Sequence, residues 1–458
     1  MSASGNNWFG EQVSEALSQS GTMPTSVAYE GAFQFSSVVD VSGLALAAMS
    51  AAAQQLAALV GAAEVSIDRR RTELWCGMTL KPEGWALPEA WDPVAGNYRT
   101  RDGWIRLHTN VPRHLSAALR VLGADADRDA VAHRVLSWNR LDLERAIVEA
   151  GGVAAAMNGL SDWAAHPQGR AVATEPLIHW HEGPGAKSRL PAFAASLDGL
   201  RVLDLTRVLA GPVATRFLAG FGASVLRIDP PHWREDGLEP EVTLGKACAS
   251  LDLNEANDRA RFESLLSEAH VFVHGYRPGA LDRLGYCESR RREINPDIID
   301  VSLSAFGWTG PWRKRRGFDT VVQVNSGLAQ EGMKRLGADR PVQLPIQALD
   351  HATGYLMAAA ALCALRLQRA DGRARSARLS LARTAHLLIS NGVRDPIAST
   401  SSETCVTELT EMTHWGPARR VAFPVALDGR GPVWQRQAAP FRSAKADWPT
   451  SERQGVEP

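Results

Sequence analysis

The chain has 458 residues, of which 45% are hydrophobic and 22% are charged, as in folded soluble domains. This length favours two or three compact units over a single core. Fifty Lys and Arg residues balance fifty Asp and Glu residues. The chain as a whole therefore lacks the excess positive charge of a general nucleic-acid binder or of a protein drawn to membrane surfaces.

Two further features concern metals and targeting. The cysteines are odd in number and show no CxxC spacing, so we expect reduced thiols, no disulfide framework and no metal site. The N-terminal sequence MSASGNNWFG lacks a basic start followed by an apolar run, and we therefore expect a cytoplasmic protein. The cysteines are Cys76, Cys248, Cys287, Cys363 and Cys405.

Residues 1–198 form the first predicted module and show the less regular pattern. A helix is expected over Leu44–Val60 and a strand over Ala63–Trp75. A tryptophan-bearing region at 102–111 and two short helical stretches follow. We expect a smaller α+β domain here.

Residues 199–395 form the second predicted module, in which strands alternate with helices. Pro212 is expected at the start of the first of these helices. Alternation with nearly continuous apolar strands predicts an α/β fold, a Rossmann-like parallel sheet with helices on both faces. The predicted strands cover 199–208, 223–230, 249–253, 270–276 and 297–307.

The only glycine pair near the first strand, Gly220 and Gly222, follows the first helix rather than opening it. The pattern therefore indicates a helix end and a turn instead of a dinucleotide-binding fingerprint. Residues 396–458 are predicted to form a C-terminal arm. The apolar spacing of Val421, Phe423 and Val425 favours an ordered arm.

One unit of the sequence is repeated in outline. VVDVSGLALAAMSAAAQQLAAL followed by AEVSIDRRRTELW has the order and composition of QALDHATGYLMAAAALCALRL followed by RSARLSLARTAHLL. Two alanine-rich helices can look alike by composition alone, but the arginine-bearing segment after each helix favours a partial duplication.

The run from Leu200 to Asp350 resembles the family III CoA-transferases, which include formyl-CoA:oxalate and carnitine CoA-transferases and, more distantly, α-methylacyl-CoA racemase. The resemblance extends less sharply to about Leu388, and 38–178 resembles the second half of the same family, so the halves are rearranged. The segments that carry it are GLRVLDLTRVLAGPVATRFLAGFGASVLRID, LDLN, GYRPGALDRLGY, NPDIIDVSLSAFGWTGP, RRGFDTVVQVNSGL and ALDHATGYLMAAAALCAL.

The resemblance implies the family fold and places Asp350 at the position of the catalytic nucleophile. A carboxylate there would attack an acyl-CoA thioester and carry CoA to a carboxylic acid acceptor. We expect the start of the following helix to keep Asp350 ionised through free N–H groups and the helix dipole. A simple N-cap is the structural alternative for this aspartate.

The resemblance also implies contacts with CoA, which would be a substrate rather than a tightly bound cofactor. Arginines suit its phosphates because their planar guanidinium donates two hydrogen bonds at once. Among the arginines, we expect Arg277 and Arg316 to contribute most to phosphate binding. A solvated basic turn is the alternative for the run Arg313–Arg316. The implied CoA-binding residues are Leu209, Ala210, Gly211, Leu251, Asp252, Leu253, Asn254, Gly275, Tyr276, Arg277, Arg283, Arg316, Gly317, Phe318 and Asp319.

The sequence departs from the family pattern at three positions. Leu209 replaces the glutamine of formyl-CoA:oxalate-type members, which argues against oxalate as the acceptor, and Ala247 replaces an arginine. Phe318 stands where the related racemases have a histidine, and His351 is adjacent to Asp350 in the sequence. An acyl-CoA racemase, which needs two bases, is therefore the less favoured alternative.

A non-catalytic CoA-binding subunit is the other alternative, suggested by the rearranged halves. Asp40 occupies a nucleophile-like position in the first module, but no CoA-binding sheet precedes it, so we expect it to be inert. The resemblance implies a homodimer, although the rearranged order could let one chain complete its own ring. Acyl-CoA and a carboxylic acid are the expected partners, with no nucleic acid and no membrane.

Overall fold

A computed structural model describes residues 8–17, 26–32, 34–185, 190–235, 237–396 and 406–449. The α-helices are α1 Trp8–Leu17, α2 Val41–Val60, α3 Arg69–Trp75, α4 Pro112–Leu122, α5 Arg128–Val135, α6 Arg140–Glu149, α7 Leu160–Ala165, α8 Pro167–Thr174, α9 Ala210–Gly220, α10 Glu239–Val242, α11 Ala256–Glu268, α12 Ala280–Arg283, α13 Glu288–Ile294, α14 Asp319–Asn325, α15 Leu328–Arg335, α16 Ala348–Asp371 and α17 Leu381–Ser390.

The strands alternate with these helices along the chain. They are β1 Val27–Glu30, β2 Val65–Asp68, β3 Leu80–Pro82, β4 Gly96–Thr100, β5 Gly103–Leu107, β6 Ala154–Ala156, β7 His179–Gly185, β8 Arg201–Leu205, β9 Ser224–Asp229, β10 Lys246–Ser250, β11 Val271–His274, β12 Ile299–Ser304, β13 Arg373–Ser380, β14 Glu411–Thr413, β15 Gly416–Arg420 and β16 Val425–Leu427.

The largest sheet in the described ranges has seven strands in the order β10-β9-β8-β11-β12-β13-β7. All neighbouring pairs are parallel except β13 and β7. The order is that of a doubly wound sheet, in which the chain moves outward from β8 in one direction and from β11 in the other. The α/β class predicted from the alternating pattern is confirmed.

Helix α16 runs through the centre of the core, and α2 and α9 pack along it. Both α2 and α16 are long and apolar enough to cross a membrane. However, 78% of the most apolar window of α2 and all of that of α16 is buried inside the protein. Burial of this kind is what core helices of folded domains show.

The smaller predicted α+β domain is present in the N-terminal module. Strands β4, β5 and β6 form an antiparallel sheet, and helices α4, α5 and α6 share an apolar core with it. The three predicted segments are joined by extensive contacts: β7 extends the large sheet, and β16 of the C-terminal arm pairs with β2. The boundaries at 198/199 and 395/396 remain a prediction.

Three sequence-based element boundaries were wrong. The predicted strand 63–75 is a short strand, β2, followed by helix α3, because Asp68 caps that helix by accepting from the backbone nitrogen of Arg71 at 3.0 Å. Strand β10 lies at 246–250 rather than 249–253. Helix α9 begins at Ala210, two residues before Pro212.

The predicted duplication remains a prediction, but its elements recur in the same order. Helix, strand and helix follow one another as α2, β2 and α3 and again as α16, β13 and α17. The second copy repeats the cap as well, since Ser380 accepts from the backbone nitrogen of Arg383 as Asp68 accepts from that of Arg71. Among the cysteines, Cys405 lies outside the described residues, and the other four are not joined in disulfides.

A buried ion cluster joins the arm and the N-terminal module to the large sheet. Glu241 accepts a short hydrogen bond from Arg216 and lies 3.6 Å from Arg420 of the arm. It also accepts from the backbone nitrogen and hydroxyl of Thr79 in the N-terminal module. Burial raises the pKa of Glu241, but the two guanidinium charges outweigh burial and hold it below its usual range.

Candidate active site

A cavity of about 300 Å³ opens at the carboxyl ends of β8, β11 and β12. Strands β8 and β11 are the two from which the sheet order diverges, and ligands of doubly wound sheets bind at such a divergence point. The residues that line the cavity are Arg113, His114, Leu205, Thr206, Arg207, Val208, Ala210, Gly211, Trp233, Gly275, Tyr276, Arg277, Ala280, Arg283, Leu303, Ser304, Ala305, Arg315, Arg316, Gly317, Phe318, Asp350 and Leu381.

Asp350 is the carboxylate of this cavity. It is the third residue of α16, and Gln347 rather than Asp350 occupies the N-cap position, so the simple capping role is excluded. The side chain is 5% exposed. No described residue donates a hydrogen bond to its carboxylate, and Asp350 lines the cavity.

Asp319 takes the backbone donors that were expected to serve Asp350. Its Oδ2 atom accepts from the backbone nitrogens of Leu349 at 2.9 Å and Asp350 at 3.0 Å, and Gln323 donates a short hydrogen bond to Oδ1. Through its two bonds to backbone nitrogens, Asp319 caps α16 from a neighbouring helix. Asp319 is itself buried.

The expectation that the helix start keeps Asp350 ionised is therefore wrong. Burial, and then the adjacent Asp319 charge, raise the pKa of Asp350 well above its usual range. Burial raises the pKa of Asp319 to about 6, although its hydrogen bonds and Arg106 oppose the shift. Two neighbouring carboxylates repel each other when both are ionised, so the doubly ionised state of Asp319 and Asp350 is unfavourable.

Four arginines at the cavity have no ion-pair partner within the described part of the chain: Arg113, Arg277, Arg283 and Arg316. Burial, and then the neighbouring guanidinium charges, lower the pKa of Arg277 and of Arg316. Cations that repel one another and face a cavity form a binding site for a multiply charged anion.

Arg315, in contrast, is a structural residue. It donates to Glu144 and to the carbonyl oxygen of Ala154, both at 2.7 Å, and its guanidinium lies 4.1 Å from the ring centre of Trp312. Within the basic run Arg313–Arg316, Arg315 therefore joins the two modules and Arg316 lines the cavity, whereas Arg313 and Lys314 are exposed.

Side chains of the N-terminal module hold the loop that carries Arg316 and Phe318. The buried Gln168 donates to the carbonyl oxygens of Phe306 at 2.7 Å and Thr309 at 2.9 Å, and accepts from the backbone nitrogen of Trp312 at 2.6 Å. Glu175 accepts from the backbone nitrogens of Trp308 and Thr309. The loop between β12 and α14 is thus fixed from outside the large sheet.

Two histidines of the small domain pack against Phe318. The ring centres of His108 and His114 lie 3.8 Å and 6.0 Å from that of Phe318, and His114 lines the cavity. Burial, and then the charges of Arg113 and Arg316, lower the pKa of His114 to about 4. An imidazole that is neutral at pH 7 therefore reaches the cavity that contains Asp350.

The opposite wall contains a backbone outlier. Val208 has a φ of 64°, and its backbone nitrogen donates to Glu235 Oε1 at 2.6 Å. Beside it, the Arg207 guanidinium lies between the rings of Trp233 and Tyr276, at 4.6 Å and 4.9 Å from their centres. Positive φ is unfavourable for a β-branched residue.

Of the predicted site residues, the structure brings a majority together. Those that line the cavity are Asp350, Ala210, Gly211, Gly275, Tyr276, Arg277, Arg283, Arg316, Gly317 and Phe318. Leu209 is the N-cap of α9, and Asp319 lies behind Asp350. Leu251, Asp252, Leu253 and Asn254 lie away from the cavity.

The last four residues have evident local roles instead. Leu251 and Leu253 belong to an apolar core on one face of the sheet, and Asp252 accepts from the backbone and side-chain nitrogens of Asn254 in a turn. Their contact with CoA stays a prediction. Sequence reasoning missed Arg113, His114, Arg207, Val208 and Trp233 as cavity residues.

Asp40, the nucleophile-like residue of the first module, has an ordinary structural role. It is the N-cap of α2, accepting from the backbone nitrogen of Gly43 at 3.0 Å, and it forms an ion pair with Arg394 at 3.0 Å. Asp350 has neither kind of partner among the described residues. In those ranges no group of three or more His, Cys, Asp or Glu side chains could hold a metal.

A doubly wound sheet with a buried carboxylate and an arginine cluster at its divergence point is typical of an enzyme that handles phosphate-bearing substrates. The model of CoA-transferase family III matches residues 197–408. Over this segment the chain is similar to CoA-transferase family III.

Similar proteins include an acyl-CoA transferase of Fusarium pseudograminearum, 30% identical over 50% of this chain and 54% of its own length. An acetyl-CoA:oxalate CoA-transferase of Acetobacter aceti is 38% identical over 29% of this chain and 37% of its own. A crystal structure of Rv3272 from Mycobacterium tuberculosis has a TM-score of 0.39 at 30% identity, covering 43% of this chain and 58% of that one. The chain thus spans between 37% and 58% of the length of these relatives.

Proposed function

We propose that the protein transfers CoA from an acyl-CoA thioester to a carboxylic acid, with Asp350 as the covalent carrier. The observation that supports it most directly is the setting of Asp350. Its carboxylate is nine-tenths buried and accepts no hydrogen bond from a described residue. It shares one cavity with four arginines that have no ion-pair partner in the part of the chain that the structure describes. The match of residues 197–408 to the model of CoA-transferase family III supports this proposal.

In the first half of the reaction, an ionised Asp350 oxygen attacks the thioester carbonyl carbon, and the carbon–sulfur bond breaks. The products are an acyl-aspartyl mixed anhydride and CoA thiolate. The thiolate then attacks the aspartyl carbonyl of the anhydride, which releases the donor as a free carboxylate and leaves an aspartyl-CoA thioester.

The second half runs the same steps in reverse with the acceptor. An acceptor carboxylate attacks the aspartyl-CoA thioester, and the released thiolate attacks the acceptor's carbonyl in the new anhydride. The new acyl-CoA leaves and Asp350 is again a carboxylate. No net proton is consumed, and exclusion of water from the buried carboxylate protects both intermediates from hydrolysis.

The arginine cluster would bind the phosphates of CoA. Arg277 and Arg316 are partly buried, which strengthens their interaction with an anion, and Arg113 brings the small domain to the same site. CoA would act as a substrate, with no cofactor held permanently.

The decisive experiment is intact-mass spectrometry after incubation with acetyl-, propionyl-, butyryl- and octanoyl-CoA, followed by hydroxylamine cleavage and peptide mapping. We expect an adduct on the peptide that contains Asp350. D350N should form none while binding CoA normally, and D40N, which alters the equivalent aspartate of the repeat, should label like the wild type. Labelling of D350N would remove Asp350 from the mechanism.

Exchange of the proton α to the thioester, as in the related racemases, is a second candidate, because His114 brings an imidazole to the position beside Phe318. Asp350, whose pKa is raised by burial and by Asp319, and His114, whose pKa is lowered by burial, would form an acid and base pair. Incubation of butyryl-CoA in D2O distinguishes the candidates: deuterium at the α carbon, lost in H114A, would indicate exchange.

We further propose a cytoplasmic homodimer, by analogy with the family and in the absence of any contrary feature of the described residues. Arg113, His114 and Asp350 of one chain line a common cavity. Light scattering measures the molar mass of the protein in solution. If the protein is a monomer and still forms the Asp350 adduct in full, one chain is sufficient for the reaction.

A further inference from the structure

We propose that Val208 is a positioning residue whose strained backbone, held by Glu235, shapes the wall of the cavity that contains Asp350. This inference rests on the proposed function. Four observations support it: the conformation of Val208, the acceptor of its N–H group, its place in the cavity, and its connection to α9.

The strain is specific to residue type. Val208 has a φ of 64°, a region in which the Cβ atom of an L residue approaches its own backbone, and two γ-methyl groups make the conflict worse. Other described non-glycine residues with positive φ are Ala195, Asp428 and Arg442. Val208 is the β-branched member of that group, and it lines the cavity.

The acceptor is a buried carboxylate held in place by other groups. Glu235 Oε1 accepts from the Val208 nitrogen at 2.6 Å and from the Trp233 indole nitrogen at 2.8 Å. Its Oε2 atom lies 3.1 Å from Arg227, whose side chain is fully buried. An ionic acceptor with three partners can hold a turn that the backbone alone would not adopt.

The strained turn leads directly to the site. Helix α9 begins two residues after Val208, and the carbonyl oxygen of Ala210 is so near Gly354 that a Cβ atom there would lie 2.4 Å from it. Gly354 is in the first turns of α16, four residues after Asp350. The conformation of Val208 therefore fixes the start of α9 against the helix that carries the nucleophile.

Strain retained at a functional site predicts opposite effects on stability and activity. V208G and V208N, whose new residues tolerate positive φ, should raise the midpoint of urea unfolding of the full chain. Both should lower the rate of Asp350 adduct formation about ten- to hundredfold, because a small displacement of reacting groups has such an effect. V208T keeps the β-branch and should label at close to the wild-type rate.

A195G is the matched control, because Ala195 has a φ of 62° and is exposed outside the cavity. It should be at least as stable as the wild type and should form the adduct at the wild-type rate. A purely structural role for Val208 would predict this same behaviour for V208G.

A double-mutant cycle tests the part played by Glu235. E235Q should slow adduct formation, and E235Q combined with V208G should be no slower than V208G alone, because both changes release the same turn. The rates are measured with the acyl-CoA that labels the wild type fastest, and binding of free CoA is measured in parallel by calorimetry.

The outcomes separate this inference from the proposed function. Absence of an adduct in the wild type with every donor would overturn the proposed function. If the wild type labels, then V208G that labels equally fast, or that is less stable than the wild type, would overturn the role of Val208. Additive rate effects in the double mutant would overturn the role of Glu235.

Discussion

The Oδ2 atom of Asp319 lies 3.0 Å from the backbone nitrogen of Asp350. A carboxylate from one helix thus occupies the N-terminal end of another helix, beside the side chain that is proposed to act as the nucleophile. The donors that would have stabilised an ionised Asp350 are used by Asp319. Asp350 is left buried, next to a like charge, with a pKa well above its usual range.

The first prediction concerns the pH dependence of adduct formation. The nucleophile must be ionised, and its raised pKa means that the reactive fraction increases as the pH rises. We expect the rate with a fixed acyl-CoA to continue rising with pH above the range in which an ordinary carboxyl group titrates. In D319N the like charge is absent and the rise should move to lower pH. Rapid-quench mass spectrometry across pH 5 to 9 measures the pH profiles of the wild type and of D319N. Superimposable profiles would contradict an effect of the Asp319 charge on the pKa of Asp350.

The second prediction concerns stability. A carboxyl group whose pKa is raised by folding binds its proton more tightly in the folded state, so stability falls as the pH rises above the unfolded-state value. D350N removes this loss. The variant should be more stable than the wild type at pH 7, and the difference should vanish below about pH 4, where the group is protonated in both states. Urea unfolding at the two pH values decides the matter.

The third prediction concerns the ion cluster around Glu241. E241A leaves Arg216 and Arg420 buried without their shared anion and should lower the free energy of unfolding by about 3–5 kcal/mol. E241Q retains acceptors and should lower it less. Because the pKa of Glu241 is held below its usual range, the loss in E241Q should shrink as the pH falls and Glu241 becomes protonated. An exposed-pair variant, E268Q, serves as the control.

The fourth prediction concerns Gln168, which fixes the loop that carries Arg316. Q168A leaves two carbonyl groups and one amide group of that loop without their partner, so it should destabilise the fold by about 1–3 kcal/mol and weaken CoA binding. Q368A is the matched control, since Gln368 is equally buried and donates to Asp297 on a different part of the sheet. Equal loss of CoA affinity in both variants would show a general rather than a local effect.

The fifth prediction concerns the arginine cluster. R277A and R316A should each weaken binding of CoA by about 1.5–3 kcal/mol, as expected for hydrogen bonds to a charged group. R134A, which alters an exposed arginine on α5, should bind normally. Calorimetric titration at two salt concentrations should also give a smaller salt dependence for the two cavity variants. Unchanged affinity in both would place the phosphates elsewhere.

The sequence predicts the fold where local pattern and tertiary structure agree. Alternation of apolar strands and amphipathic helices after Gly199 predicts five strands of the large sheet, because parallel strands buried on both faces need continuous apolar runs. The pattern fails at 63–75, where the cap supplied by Asp68 starts a helix within a β-branched segment. In the C-terminal segment Val421 and Val425 are buried, and the arm as a separate unit stays a prediction.

The site is predicted where a motif is contiguous and missed where it is assembled from distant segments. Asp350 and Arg316 are predicted from the family resemblance. Arg113 and His114 reach the cavity across more than two hundred residues of chain, and no local pattern records that proximity. The conformation of Val208 and the capping role of Asp319 depend on tertiary contacts, which composition and periodicity do not encode.

The seventh strand of the large sheet has a consequence for chimeric proteins. Strand β7 precedes the segment that the family model matches, yet it completes the sheet beside β13. A chimera joined at 197 would exchange six strands and leave the edge strand of the other parent in place. Strand β7, His179–Gly185, pairs antiparallel with Arg373–Arg378 of β13, so both strands should come from the same parent. The suitable junction therefore lies upstream of His179, within the loop that follows α8.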